Sequence, residues 1–129
     1  MNSQLTVYKA SAGSGKTFTL AREYMTLVIA NPYSYRTILA VTFTNKATEE
    51  MKTRILSQLY GIAHGLEESH GYLEQIKKAL PHLTQKQIEK NAGTALSLLI
   101  HNYNYFRVET IDTFFQSVLR NLARELDLT

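Results

Sequence analysis

The 129-residue chain has no cysteine. That excludes disulfides, zinc knuckles and cysteine-ligated iron–sulfur clusters within it, and it suits a reducing cytoplasm. Proline is scarce, at two residues, and glycine stands at six, which rules out collagen-like and low-complexity architectures. Neither sign of charge dominates: 14 Lys and Arg against 11 Asp and Glu leave +3, compatible with a polyanionic partner without demonstrating one. No apolar run approaches the ~18 residues of a membrane span, and the first residues lack a basic segment followed by an apolar signal stretch. The expectation is a cytoplasmic chain with no membrane partner. Hydrophobic residues make up 44% and charged residues 19%, the profile of a soluble globular domain. A chain of this length can bury about two-thirds of its extended surface around one core.

What is present begins at residue 10. The octet ASAGSGKT follows a short β-prone run, residues 4–8, and precedes a segment in which Phe18, Leu20, Ala21, Tyr24, Met25, Leu27 and Val28 recur at helical spacing until Asn31 and Pro32. The pattern is strand, loop, helix. Small residues in such a loop let successive backbone N–H groups converge on phosphate oxygens at a helix N-terminus, where the helix dipole adds to the attraction. Ala10, Ser11, Ala12, Gly13, Ser14 and Gly15 form the cradle, Lys16 reaches the β and γ oxygens as a point charge, and the Thr17 hydroxyl is placed for Mg²⁺. The strict motif starts with glycine, so Ala10 makes this a relaxed form. A nucleotide with Mg²⁺ is the implied ligand.

Downstream, the apolar run TILAVTF, residues 37–43, reads as a second parallel strand covered on both faces. Thr44 or Asn45 then caps a helix running to about Gly61, with Glu49 and Glu50 in its first turns, an order that favours the helix dipole. Residues 62–83 are more polar and read as one or two short helices with loops. Residues 84–101 form another helix, with Gly93 as a weak point. The aromatic stretch NYNYFRVET is taken as a third strand, and Asp112 or Thr113 opens a last amphipathic helix through Phe115, Val118, Leu119, Leu122 and Leu126.

Three segments, ASAGSGKTFTL, VTFTNKATEEMKTRI and ETIDTFFQSVLR, occur in this order, and together they resemble the superfamily 1 helicases of the UvrD and RecB/AddA type. Ser11 makes the loop more similar to the RecB and AddA branch. The resemblance implies an α/β fold: a partial RecA-like P-loop domain, its parallel sheet flanked by helices on both faces and carrying a helical insertion. It implies that Lys16 and Thr17 serve catalysis through ATP and Mg²⁺, and that Thr42, Phe43, Thr44 and Asn45 lie beside single-stranded DNA. Thr110 and Thr113 are implied at the DNA backbone. Asp112 stands where the family has histidine, and a carboxylate beside phosphate is repelled, so Asp112 is assigned as the cap of the final helix. Phe114 and Phe115 begin that helix's apolar face and are assigned to the core. Implied partners are single-stranded and duplex DNA and a helicase or nuclease partner subunit.

Hydrolysis by such machinery needs an acidic pair at the end of another strand, one carboxylate on Mg²⁺ and one positioning water. The only aspartates are Asp112 and Asp127, neither in a DE pair. Residues 1–129 therefore read as the N-terminal part of the first motor domain, ending before the DExx motif; the resemblance implies a parent that moves along single-stranded DNA, unwinds duplex and acts in double-strand-break repair. Two alternatives stay open. In one, YFRVETID is a magnesium strand and Glu109 or Asp112 completes a small NTPase or kinase. In the other, the helix bearing Lys46, Lys52 and Arg54 makes a nucleotide-independent DNA-binding module.

Overall fold

The computed structural model describes residues 5–7 and 14–127. Three parallel strands, β1 (Leu5–Val7), β2 (Leu39–Thr42) and β3 (Arg107–Thr110), lie side by side in chain order. Leu5 is in register with Leu39, and Thr42 with Thr110. Parallel neighbours require crossovers, and helices supply them: α1 (Ser14–Ala30) joins β1 to β2, while α2 (Asn45–Ala63), α3 (His70–Ala79) and α4 (Gln85–His101) lie between β2 and β3. α5 (Ile111–Glu125) leaves β3 directly.

The core lies between the sheet and one helical layer. From the strands Ala40 and Val108 enter it, and from the helices come Tyr24, Met25, Ile29, Met51, Ile55, Leu59, Ile76, Ile88 and Leu99, all buried in one cluster. α1 to α4 thus gather on a single side of the sheet, as successive right-handed crossovers to adjacent strands require, rather than dividing between its two faces. α5 touches β2 and β3 instead. The insertion is tied to the first crossover by Asn91, whose side-chain amide donates to the Ile29 carbonyl at 2.8 Å, satisfying an acceptor that the end of α1 leaves open. α4 opens on a capping box in which Thr84 and Gln87 exchange side-chain and backbone hydrogen bonds.

Several sequence expectations shift. The segment taken as a β3 of nine residues splits: Tyr103–Tyr105 is a 3-10 turn and only Arg107–Thr110 is strand. The turn after α1 is likewise a 3-10 helix, Pro32–Thr37, with Asn31 accepting from the Tyr33 N–H. No acidic residue falls in the first turn of α2, so Glu49 and Glu50 sit too far along to meet its dipole closely. The final helix is capped not by Asp112 but by Thr110, whose backbone is extended (φ −73°, ψ 157°) and whose hydroxyl accepts the Thr113 N–H at 3.2 Å. Asp112 sits within the first turn. Phe114 is half-buried, Phe115 is exposed, and no residue of α5 is fully buried.

Candidate functional site

All three strands run the same way, and each feeds the N-terminus of a helix at the sheet's carboxyl edge. Three sets of unpaired helix N–H groups and three positive dipole ends therefore converge there. The first turns of α1 and α2 carry no acidic side chain, whereas Asp112 offsets the field of α5. An edge of this kind attracts anions, and in open parallel sheets ligands sit outside the strands' carboxyl ends.

Of the phosphate-loop residues singled out in the sequence, Ala10, Ser11, Ala12 and Gly13 lie outside the described residues. Ser14, Gly15, Lys16 and Thr17 form the opening turn of α1, and Thr17 is half-buried. The helix begins where the motif requires it, after a strand and at the GKT triplet.

Thr42, the last residue of β2, is buried at 1% exposure. Its hydroxyl meets the Thr48 hydroxyl and lies 3.3 Å from the Thr44 carbonyl and 3.4 Å from the Glu109 carbonyl. Thr48, also buried, donates to the Thr44 carbonyl at 3.2 Å. Thr44 in turn accepts the Ala47 N–H at 3.0 Å and caps α2. This threonine network joins β2, β3 and α2, and it fixes the turn on which Phe43, Thr44 and Asn45 stand exposed. Phe43, 46% accessible, is no part of the core.

Register then brings the second and third motif segments together. Thr42 is paired with Thr110, so TFTN and TIDT leave neighbouring strands at the same height. Thr110 donates to the Thr113 hydroxyl at 3.0 Å while accepting its N–H, and Thr113 is exposed. Glu109, the proposed magnesium ligand of the small-NTPase alternative, is held by Arg107 through two bonds to Oε2, at 2.8 and 3.0 Å. Its Oε1 is buried with no hydrogen-bond partner among the described residues. Asp112 is exposed. Among the described residues no group of three acidic, histidine or cysteine side chains could hold a metal. The basic helix of the other alternative divides: Lys46 stands exposed at the carboxyl edge, Lys52 lies over the Tyr103 ring, and Arg54 donates to the Tyr72 hydroxyl. They share no face.

Sequence reasoning missed the Thr42–Thr48 pair. Its signal was present, two threonines six apart spanning a strand end and a helix start, but hydroxyl pairing across a turn leaves no periodicity to find.

Residues 1–129 match along their whole length the family described as the UvrD/REP helicase N-terminal domain. The chain belongs to the UvrD/REP helicase family. Among curated relatives, it is 32% identical over 126 residues to RecBCD enzyme subunit RecB of Borreliella burgdorferi, covering 98% of this chain and 10% of that protein. To ATP-dependent DNA helicase UvrD1 of Mycobacterium leprae it is 30% identical over 117 residues, 91% of this chain and 14% of the relative. To an ATP-dependent helicase/nuclease subunit of Clostridium novyi it is 34% identical over 103 residues, 78% of this chain and 8% of the relative. This family member thus spans a small part of the relatives it matches. No solved structure matches it. No helix among the described residues is long and apolar enough to cross a membrane.

Proposed function

We infer that this UvrD/REP-type domain is the nucleotide-binding and DNA-facing opening of a RecB/AddA-like motor, built as part of a RecA-like P-loop fold in a cytoplasmic protein. The observation that carries the reading is the convergence of GKT, TFTN and TIDT at one carboxyl edge of a parallel sheet, each at the start of a helix.

The opening of α1 suits a triphosphate: it is a strand-fed helix N-terminus without an acidic side chain in its first turn. The N–H groups of residues 10–15 would cradle ATP's phosphates, Lys16 would neutralise the β and γ oxygens, and Thr17 would hold Mg²⁺. The bound ion supplies charge neutralisation on the phosphates. Phe43 is proposed to pack on a base or sugar, while Thr44, Asn45 and Thr113 offer amide and hydroxyl groups to backbone phosphates. Thr42 and Thr110 take part from behind, holding those neighbours in place. Parent activity is then translocation on single-stranded DNA, duplex unwinding and double-strand-break repair alongside a helicase or nuclease partner subunit.

The acidic pair that hydrolysis needs is not in this sequence. The 129-residue chain alone is expected to show no Mg·ATP turnover above its Lys16→Ala variant, with or without single-stranded DNA. Turnover by the wild type that Lys16→Ala abolishes would instead assign the magnesium role to Glu109 or Asp112 and make the chain a small complete NTPase.

A further inference from the structure

At the opposite, amino edge of the sheet, the two 3-10 turns that precede β2 and β3 lie side by side because the strands they feed are neighbours. Their contact is direct: the Tyr35 and Tyr105 rings meet edge to face, 6.4 Å between centroids. In a 3-10 helix residues three apart eclipse, so Tyr33 and Arg36 project from one face of the first turn. The second turn adds Tyr103 and Tyr105, and α2 adds Lys52.

These five side chains bring rings and cations to the amino edge in two contacting groups, Arg36 with Tyr105 and Lys52 with Tyr103, with Tyr33 exposed on the first turn. Tyr33, Tyr103 and Tyr105 are 68%, 46% and 45% exposed. The Arg36 guanidinium lies 4.6 Å from the Tyr105 centroid and 5.6 Å from that of Tyr35, and its Nε donates to the Tyr35 hydroxyl at 3.2 Å. Lys52 Nζ sits 5.1 Å from the Tyr103 centroid, and Tyr103 is braced from behind by the buried Phe106, 5.9 Å away and nearly perpendicular. No carboxylate occurs in the two turns, PYSYRT and NYNYF, while on α2 the exposed Glu49 lies one turn before Lys52.

We propose that this amino-edge patch is a second binding surface for single-stranded nucleic acid, separate from the carboxyl-edge site. Exposed π faces interleaved with fixed cations are what a sequence-tolerant single-strand platform requires: bases stack on rings while guanidinium and ammonium groups meet phosphates. β2 is four residues long, so at ~3.3 Å per residue the two surfaces stand roughly 13 Å apart along the strand direction, and one strand of a few nucleotides could reach both.

The test is photocrosslinking of the 129-residue chain to an oligodeoxynucleotide carrying 5-iodouracil, with adducts mapped by mass spectrometry, together with fluorescence-anisotropy titrations. Adducts are expected on Tyr33, Tyr103 or Tyr105, and they should persist in Phe43→Ala and Lys16→Ala, which separates this surface from the carboxyl-edge reading. Tyr33→Ala with Tyr105→Ala should weaken oligonucleotide binding at least fivefold. Arg36→Glu with Lys52→Glu, both at the surface, should flatten the dependence of log affinity on log salt by about 1.4, at roughly 0.7 per phosphate contact. Adducts confined to the carboxyl edge, or patch variants that bind as the wild type does, would overturn the proposal and assign the surface to a protein partner or to none.

Discussion

Thr42 and Phe43 are adjacent, yet one is sealed inside and the other half in solvent. Thr42→Val keeps the shape and removes a hydroxyl that lies within reach of three acceptors. An unsatisfied buried group costs about 1–3 kcal/mol, so a fall in urea-unfolding free energy of about 1–2 kcal/mol is expected. Phe43→Ala should leave stability within about 0.5 kcal/mol, as surface changes do, while reducing single-strand affinity. Equal losses of stability from both would contradict this division of labour. Tyr24 makes a second test. Its hydroxyl is buried without a partner among the described residues, and burial pushes the phenol well above its ordinary value of about 10. A group that stays protonated when folded but ionises when unfolded stabilises the fold fully below the unfolded pKa. Stability should therefore fall as pH rises above about 10. Tyr24→Phe, which removes the orphaned hydroxyl, is expected to flatten that alkaline decline and to leave neutral-pH stability equal or higher; a steeper decline in the variant would count against the assignment.

Among the elements, two helical glycines have opposite packing. A methyl on Gly61 would overlap the Ser69 hydroxyl and come within 3.0 Å of its Cβ, whereas on Gly93 it would rest 3.7 Å from the Ala63 Cβ, an ordinary contact. Gly61→Ala should cost about 1–3 kcal/mol through overpacking, and Gly93→Ala should gain up to about 1 kcal/mol from helix propensity; thermal denaturation of the two variants reads both signs. Gly93 looked like a weak point in sequence, but it sits where α4 approaches α2. The opening strand and α1 were legible because periodicity changes at Gly15, and β2 because its apolar run is continuous. Residues 102–106 were read as strand since tyrosine and phenylalanine favour strands, while the turn there is set by tertiary contacts of Tyr103 with Phe106 and Lys52. For α5, periodicity announced an apolar face at Phe115, Val118, Leu119 and Leu122, and these residues are 55%, 43%, 63% and 49% exposed. A pattern of residues shows that a face is apolar, not what covers it. Exposed stripes of this kind promote association, so Leu119→Glu with Leu122→Glu should raise solubility, measured by light scattering against concentration, without lowering the melting temperature.

For the molecule as a whole, the sheet separates two chemistries. Helix N-termini and the GKT, TFTN and TIDT segments crowd the carboxyl edge, and tyrosines with Arg36 and Lys52 occupy the amino edge. Placement of the motif segments beside one another could not be read from the sequence, since it depends on the register of Thr42 with Thr110 across three intervening helices. We propose that the carboxyl edge binds a nucleoside triphosphate through the opening of α1. Calorimetric titration of Mg·ATP into the 129-residue chain and into Lys16→Ala tests it most directly. A single saturable site is expected in the wild type, weakened at least tenfold in the variant. Identical binding by the two proteins, or no binding by the wild type, would contradict it.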